Sequence, residues 1–348
     1  MTTSIASYLL FLLASAYSTL AAPSDFSSDV TQLFSRKYDN PDPSNDPENF
    51  FGYIPMTRYT IMALVAFISI AIAQTYMVIR YKGYYMLAML IAEFTFTAGI
   101  ALRIPLHDDP TKLGLYVAEN SLIVLSPVGF IAANYVLLGR LSRWLKCNNY
   151  MLIRPERITI FFVASDVITF FVQAAGGGIS ASGDASKGKL GARIFLVGLI
   201  LQAVSFLFFT VMYIQFLYRV RSNDPRIWSR DAGKGILNDW RALAAALFAS
   251  CIFILIRSVY RIAELSQGYR GSIAKNEAIF YLFDVLMLFH AVMVYTPFWP
   301  GRFIPDKKEM ERQAAEEHYK ESPTTIATLP PSVQGSHIQL DHMGRPLV

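Results

Sequence analysis

Three carboxylates lie inside runs of oily residues: Glu93, Asp166 and Asp284. An acid near the centre of a membrane helix costs roughly 2.5–3.5 kcal/mol on insertion scales, so each needs a partner, water or a task. Gln173 follows Asp166 by seven residues, which is two helical turns and places both on one stripe. The same interval recurs in Glu277, Tyr281 and Asp284, at i, i+4 and i+7, and in Arg257, Arg261 and Glu264. Gln202 shares a stripe with Gly198 and Phe209. Acids and amides on facing stripes can hold an ammonium head group or pass a proton. The plainer alternative is hydrogen bonding between helices alone. Such bonds average only about 0.6 kcal/mol in membranes, which is little reason to carry so many charges, so a binding cavity is the preferred reading for Glu93, Asp166 and Asp284. Arginines near helix ends can snorkel to the interface, and that reading is preferred for Arg103, Arg257 and Arg261.

The elements that position these residues come from the apolar blocks. Of 348 residues, 53 % are hydrophobic and 16 % charged, against about 25 % charged in a soluble domain. Seven spans near the ~20 residues needed to cross a bilayer occupy 59–79, 84–102, 121–138, 158–175, 194–217, 242–260 and 278–298. Backbone groups in lipid must bond internally, so these are expected to be helices. The fold class is therefore an all-α integral membrane protein, a bundle of seven transmembrane helices covering 59–300. Residues 1–22 resemble a signal peptide, with Ala14-Ser15-Ala16 as a cleavage site; the other reading is an eighth, uncleaved helix. Residues 23–58 are expected to be a polar extracytoplasmic segment, and 301–348 a disordered cytoplasmic tail. In that tail, Lys307/Glu311 and Glu316/Lys320 at i,i+4 would suit a short surface helix.

Orientation follows from basic residues. The loops after spans 1, 3 and 5 and the tail hold 19 Lys and Arg; the opposite side holds 12 with Arg257 counted there. Lys and Arg favour the cytoplasm, so the N-terminus is expected outside and the C-terminus cytoplasmic. On that orientation Glu93, Asp166, Gln202 and Asp284 form a polar layer near mid-membrane. Arg103, Gln173, Arg257, Arg261, Glu264 and Glu277 form a charged rim toward the outer mouth. Gly176, Gly177 and Gly178, behind Gln173, would let the chain turn or another backbone approach. Pro127, on a stripe with Asn120 and Asn134, is read as a helix kink.

Several classes are excluded. The net charge of +5 comes from residues clustered at span ends, not from a nucleic-acid footprint. There is no G-x-x-x-x-G-K-[ST] phosphate loop. No lysine lies in any span, which removes a retinal Schiff base. His290 is alone in its span and His107 is the only other histidine near, too few for a membrane metallohydrolase. Cys147 and Cys251 form no disulfide framework. No cofactor or metal is expected, and the expected partners are membrane lipids and an amphiphilic lipid substrate, with cytosolic proteins at the tail.

Five stretches resemble the fungal lipid-translocating exporter family, RTA-like proteins that include aminocholesterol-resistance proteins and sphingoid long-chain-base exporters. They are "YIP" at 53–55, "SPVGFIAANYVLLGR" at 126–140, "SDVITFFVQAAGGG" at 165–178, "GARIFLVGLILQ" at 191–202 and "RSVYRIAELSQGYRGSIAKNEAIFYLFD" at 257–284. Two positions depart from the pattern. "FTAGIALR" at 96–103 keeps Gly99 and Arg103 but carries Phe96 where the family has glutamate and Ile100 where it has tyrosine; Glu93 is the substitute acid. Trp299-Pro300-Gly301 stands where the family has His-Pro-Gly. The resemblance implies a plasma-membrane protein that exports or flips amphiphilic lipids and confers resistance to toxic ones, with no enzymatic activity. Asp166 and Asp284 are then the head-group or proton contacts, and Gln173, Gln202, Glu277 and Tyr281 line the route. A rival reading is a seven-helix sensor of lipid stress that signals through its basic loops and tail.

Overall fold

Helices begin where the apolar runs begin. The computed structural model describes Asn49 and residues 51–304, except 82, 181–184, 232, 234, 236–238, 269 and 270. The expected signal peptide, most of the polar segment before the first span, and the tail with its short helix lie outside the described residues. The described chain is helical, without a strand, and falls in the unit that ends at Ile304. Helix α1 is Thr57–Tyr81; a 3₁₀ turn, Tyr84–Met86, leads into α2, Leu87–Ala101, and then α3, Arg103–Asp108. Next come α4 (Leu113–Trp144), α5 (Pro155–Ser180), α6 (Ala185–Asn223), the short α7 (Pro225–Trp228) and α8 (Trp240–Ser266). The last part is α9 (Glu277–Phe280), a π turn (Tyr281–Val285), α10 (Leu286–Met293) and α11 (Pro300–Phe303).

Among the described residues, six helices are long and apolar enough to cross a membrane: Thr57–Tyr81, Tyr84–Asp108, Leu113–Trp144, Arg157–Ser180, Ser186–Asn223 and Trp240–Ser266. The seventh expected span is helical in pieces. It passes through the π turn that carries Asp284, ends its regular helix at Met293 and finishes in turns before Pro297, which has no N–H to continue a helix. The most buried helix is α4, with 89 % of its apolar window inside the bundle against 33 % for α1. It packs on α2 and α5; α5 packs on α6, and α8 on α6 and α10. Caps mark two starts. Asn276 accepts from the N–H groups of Ala278 and Ile279 at 3.1 and 3.4 Å, opening α9. Asp239 accepts from Arg241 N at 2.9 Å, opening α8, and its bond to the Arg241 side chain holds its carboxyl below the usual range.

The three glycines do not turn the chain, because α5 runs through them to Ser180. Gly176 instead allows close approach: a Cβ there would meet the Phe195 backbone and, at 2.8 Å, the Gly191 carbonyl. Gly198 does the same from α6, since its Cβ would lie 2.6 Å from Gln173 Cγ and 3.1 Å from the Thr169 carbonyl. Pro127 lies within α4, which continues without a break to Trp144. Overpacking a filled site typically costs about 1–3 kcal/mol. Gly198→Val is therefore expected to lower the thermal unfolding midpoint in detergent by several degrees, while Gly178→Val, where no atom lies within 4 Å of the new Cβ, leaves it unchanged.

Candidate functional site

Arg103 opens α3 and is 2 % exposed. A guanidinium in such a place needs acceptors, and three parts of the chain supply them. One arm donates to Glu119 Oε1 on α4 at 2.9 Å. The other donates to the Tyr53 hydroxyl oxygen at 2.6 Å and to Glu277 Oε1 on α9 at 3.4 Å. Rings cover its faces, with the Phe280 centroid 4.5 Å and the Phe51 centroid 5.2 Å from the guanidinium carbon. Both oxygens of Glu277 accept from Met56 N at 2.9 Å, and the Tyr281 and Thr60 hydroxyls meet at 2.9 Å. These contacts tie the segment before α1 to the start of α9.

A second cluster lies beside the first. Asp284 is fully buried and pairs with both Arg257 and Arg261. Arg261 also donates to Glu264 at 2.8 Å, and Tyr260 donates to the other oxygen of Glu264 at 3.2 Å. The snorkelling expected of Arg103, Arg257 and Arg261 is therefore corrected: all three turn inward, because acids on α4, α8 and α9–π face them. Three arginines meet four carboxylates, Glu119, Glu264, Glu277 and Asp284, leaving one formal negative charge over.

Between the clusters is a cavity of about 70 Å³. Its polar wall is Tyr53, Arg103, Glu119, Arg261 and Glu264; its apolar wall includes Val124, Phe195 and Leu199. That volume has room for roughly five waters, enough for a head group and far too little for a lipid chain.

The expected mid-membrane layer does not assemble. Among the described residues no hydrogen bond or ion pair links Glu93, Asp166, Gln202 and Asp284. Asp166 accepts from Tyr135 at 2.9 Å, and its other oxygen has no hydrogen-bond partner among the described residues. The Tyr135 ring packs on Phe162, Phe206 and Phe209 at 5.1, 6.2 and 4.5 Å, so an aromatic cluster adjoins this aspartate. Asp166 and Asp284 share no partner and neither lines the cavity. Gln173 donates to Gln202 at 2.9 Å, joining α5 to α6. Glu93 is fully buried and neither of its oxygens has a hydrogen-bond partner among the described residues. His290 bonds the Leu286 carbonyl at 2.8 Å and packs on Phe253, a satisfied role. His107 meets the Pro55 carbonyl at 2.7 Å. Among the described residues no group of three His, Cys, Asp or Glu is placed to hold a metal.

Glu119 escaped the sequence reading, and Asn120 entered it only as sharing a stripe with Pro127, because both precede the apolar block at 121–138; both line the cavity. The signal was in reach: α4 begins at Leu113, and Glu119 falls one turn before the conspicuous stripe of Ile123 and Pro127.

With this geometry, the comparisons with known proteins become specific. A model of the family described as RTA1 like protein matches residues 86–307, more than half of the chain. The chain belongs to the RTA1 like protein family. Among its relatives in Saccharomyces cerevisiae, Protoporphyrin uptake protein 1 is 31 % identical over 54 % of this chain and 60 % of its own length. Protein RTA1 is 29 % identical over 64 % of this chain and 69 % of its own. Sphingoid long-chain base transporter RSB1 is 22 % identical over 74 % of this chain and 75 % of its own. The chain thus spans less than two thirds of the protoporphyrin relative. No solved structure matches. The residues lining the charged end cavity lie within the RTA1-like match except for Phe51 and Tyr53.

Removing one partner of a buried pair typically costs about 3–5 kcal/mol, because the other charge is stranded. Glu119→Ala is expected to unfold at markedly lower temperature, and Glu119→Gln, which keeps an acceptor for Arg103 and leaves its bond to Glu277 in place, to lose much less; equal loss in both would show that the bond to Arg103 is not what holds this end together. Burial pushes the Tyr53 hydroxyl up to about 12 against the opposing pull of Arg103. Its proton is thus bound more tightly in the folded chain, so the stability it contributes is complete below its ordinary value near 10 and is lost as pH rises toward 12. A stability profile between pH 9 and 12 should fall less steeply in Tyr53→Phe.

Proposed function

We propose that this protein moves an amphiphilic lipid with a cationic head, such as a sphingoid long-chain base, across or out of the membrane. The observation that carries the reading is the end cavity: a small polar chamber walled by two arginines and two glutamates, with an apolar side wall, set in a buried charge cluster that holds one carboxylate in excess. An ammonium desolvated there meets acids already in place, and the chain it drags stays against Val124, Phe195 and Leu199. The transporter named for sphingoid long-chain bases supports the same cargo. The protoporphyrin relative supports a broader amphiphile range, but a porphyrin's carboxylates suit this charge balance less well.

The reading extends to matters of topology. The broken α9–π–α10 segment is taken as a seventh crossing, consistent with transporter sites built at interrupted helices. The excess of basic residues at the other end places the cavity on the outer side, with the C-terminus cytoplasmic. Residence in the plasma membrane and resistance to toxic lipids would follow from export. No bond-making step is assigned to the site, and the cytosolic partners of the tail remain a proposal of the sequence.

The test is reconstitution in liposomes with a labelled long-chain base. Wild-type protein is expected to give saturable transfer. Glu264→Gln, which removes the excess charge, should weaken apparent affinity about tenfold, the equivalent of ~1.4 kcal/mol. Asp284→Asn should abolish transfer and Asp166→Asn should spare head-group affinity. Transfer indifferent to both Glu264→Gln and Asp284→Asn would remove the cavity from the mechanism, and no transfer by the wild type would favour the sensor.

A further inference from the structure

Arg257 sits between two breaks in helical regularity. The first is Pro127 in α4. Proline has no N–H, so the carbonyl four residues earlier, that of Ile123, lacks its helical donor. Arg257 donates to that carbonyl at 3.3 Å. The second break is the π turn Tyr281–Val285, a feature found often at functional sites. It carries Asp284, which accepts from the Nε of the same guanidinium. Arg257, Ile123 and Asp284 are all buried, so the bridge lies away from water. Arg261, one turn along α8, pairs with Asp284 from the cavity side, whereas Arg257 lines no part of the cavity. One aspartate thus has two arginines with different duties, one facing the chamber and one reaching into α4.

We propose that Pro127 is a positioning residue: by withdrawing an N–H it opens the Ile123 carbonyl to Arg257, so that one guanidinium clamps the π turn to α4. The clamp fixes the place about which the α9–α10 segment moves when the cavity exchanges its occupant. The clamp itself stands on the geometry alone; its part in turnover rests on the translocator reading above. An irregular turn held by one two-armed side chain has discrete fastened and released arrangements, and a bound head group that engages Glu264 would bias them through Arg261, which pairs with both Glu264 and Asp284.

Pro127→Ala tests this directly. The new N–H bonds the Ile123 carbonyl and displaces Arg257, while the helix itself is improved. Hydrogen exchange of peptides covering Tyr281–Val285 in purified protein is expected to quicken about tenfold, with no fall in the unfolding temperature. A proline that only shapes α4 would leave exchange there unmoved. Arg257→Lys, which keeps a charge for Asp284 but lacks the second arm, should give the same local change. Adding Pro127→Ala to Arg257→Lys should then add nothing, because both act on one contact. In liposomes, turnover of labelled long-chain base should drop about tenfold with apparent affinity held within about twofold. Unchanged exchange in both single variants, or additive effects in the double, would overturn the clamp. Turnover and affinity falling together would overturn its role in movement. If the wild type transfers no lipid, exchange and the double variant still decide the clamp, so the two readings fail separately.

Discussion

Desolvation of charge governs this molecule. A guanidinium removed from water is tolerable only when carboxylates, hydroxyls and ring faces replace the water, and Arg103 is surrounded in that way by Glu119, Tyr53, Glu277, Phe51 and Phe280. Arginine suits the task because its planar fork presents several donors in fixed directions. Each acceptor comes from a different part of the chain: the segment before α1, α4 and α9. Satisfying one charge therefore fixes the relative placement of three elements far apart in sequence. The cavity is the space those elements cannot close while keeping Arg103 and Arg261 paired.

The buried ion pairs gather at one end. Roughly four helical turns along α4 from Glu119, Tyr135 meets Asp166, and its ring packs among Phe162, Phe206 and Phe209. Tight interiors resist continuous deformation, so passage of a head group beyond the chamber needs a discrete rearrangement. The places built for one are the irregular ones: the π turn, the proline of α4 and the turns after Met293. Under the proposed translocation a lipid chain would need no interior path, since the apolar wall of the chamber would let the tail stay among other tails.

How much of this the sequence disclosed depends on whether the partner was a side chain at helical spacing. Arg257, Arg261 and Glu264 share a stripe, and Asp284 stands out in an apolar run, so their meeting was within reach of periodicity once inward turning is allowed. Partners on the backbone were not. Met56 N–H on Glu277 and the Ile123 carbonyl on Arg257 leave no mark in residue types. Pro127 was visible but read as a kink, because a missing donor looks the same whether it bends a helix or opens an acceptor. Spans were legible from composition to within a few residues at most ends; α6 outran its apolar block by about two turns at each side, into charged residues that continue the helix beyond the oily stretch. The mid-membrane layer failed because equal depth along separate helices does not bring side chains face to face. Rotation about each axis decides that, and for Asp166 it points to Tyr135.

The family match adds a division of labour. It starts at residue 86, so Arg103, Glu119, Arg257, Arg261 and Asp284 fall inside it while Phe51, Tyr53 and Thr60 fall before it. The charges that make the chamber belong to the matched part. Part of its cover, the rings over Arg103 and the hydroxyl that completes its hydrogen bonding, comes from the segment preceding it. On the translocator reading, the charge balance of the cluster would select the sign of a head group, and the shape and reach of the cover its size.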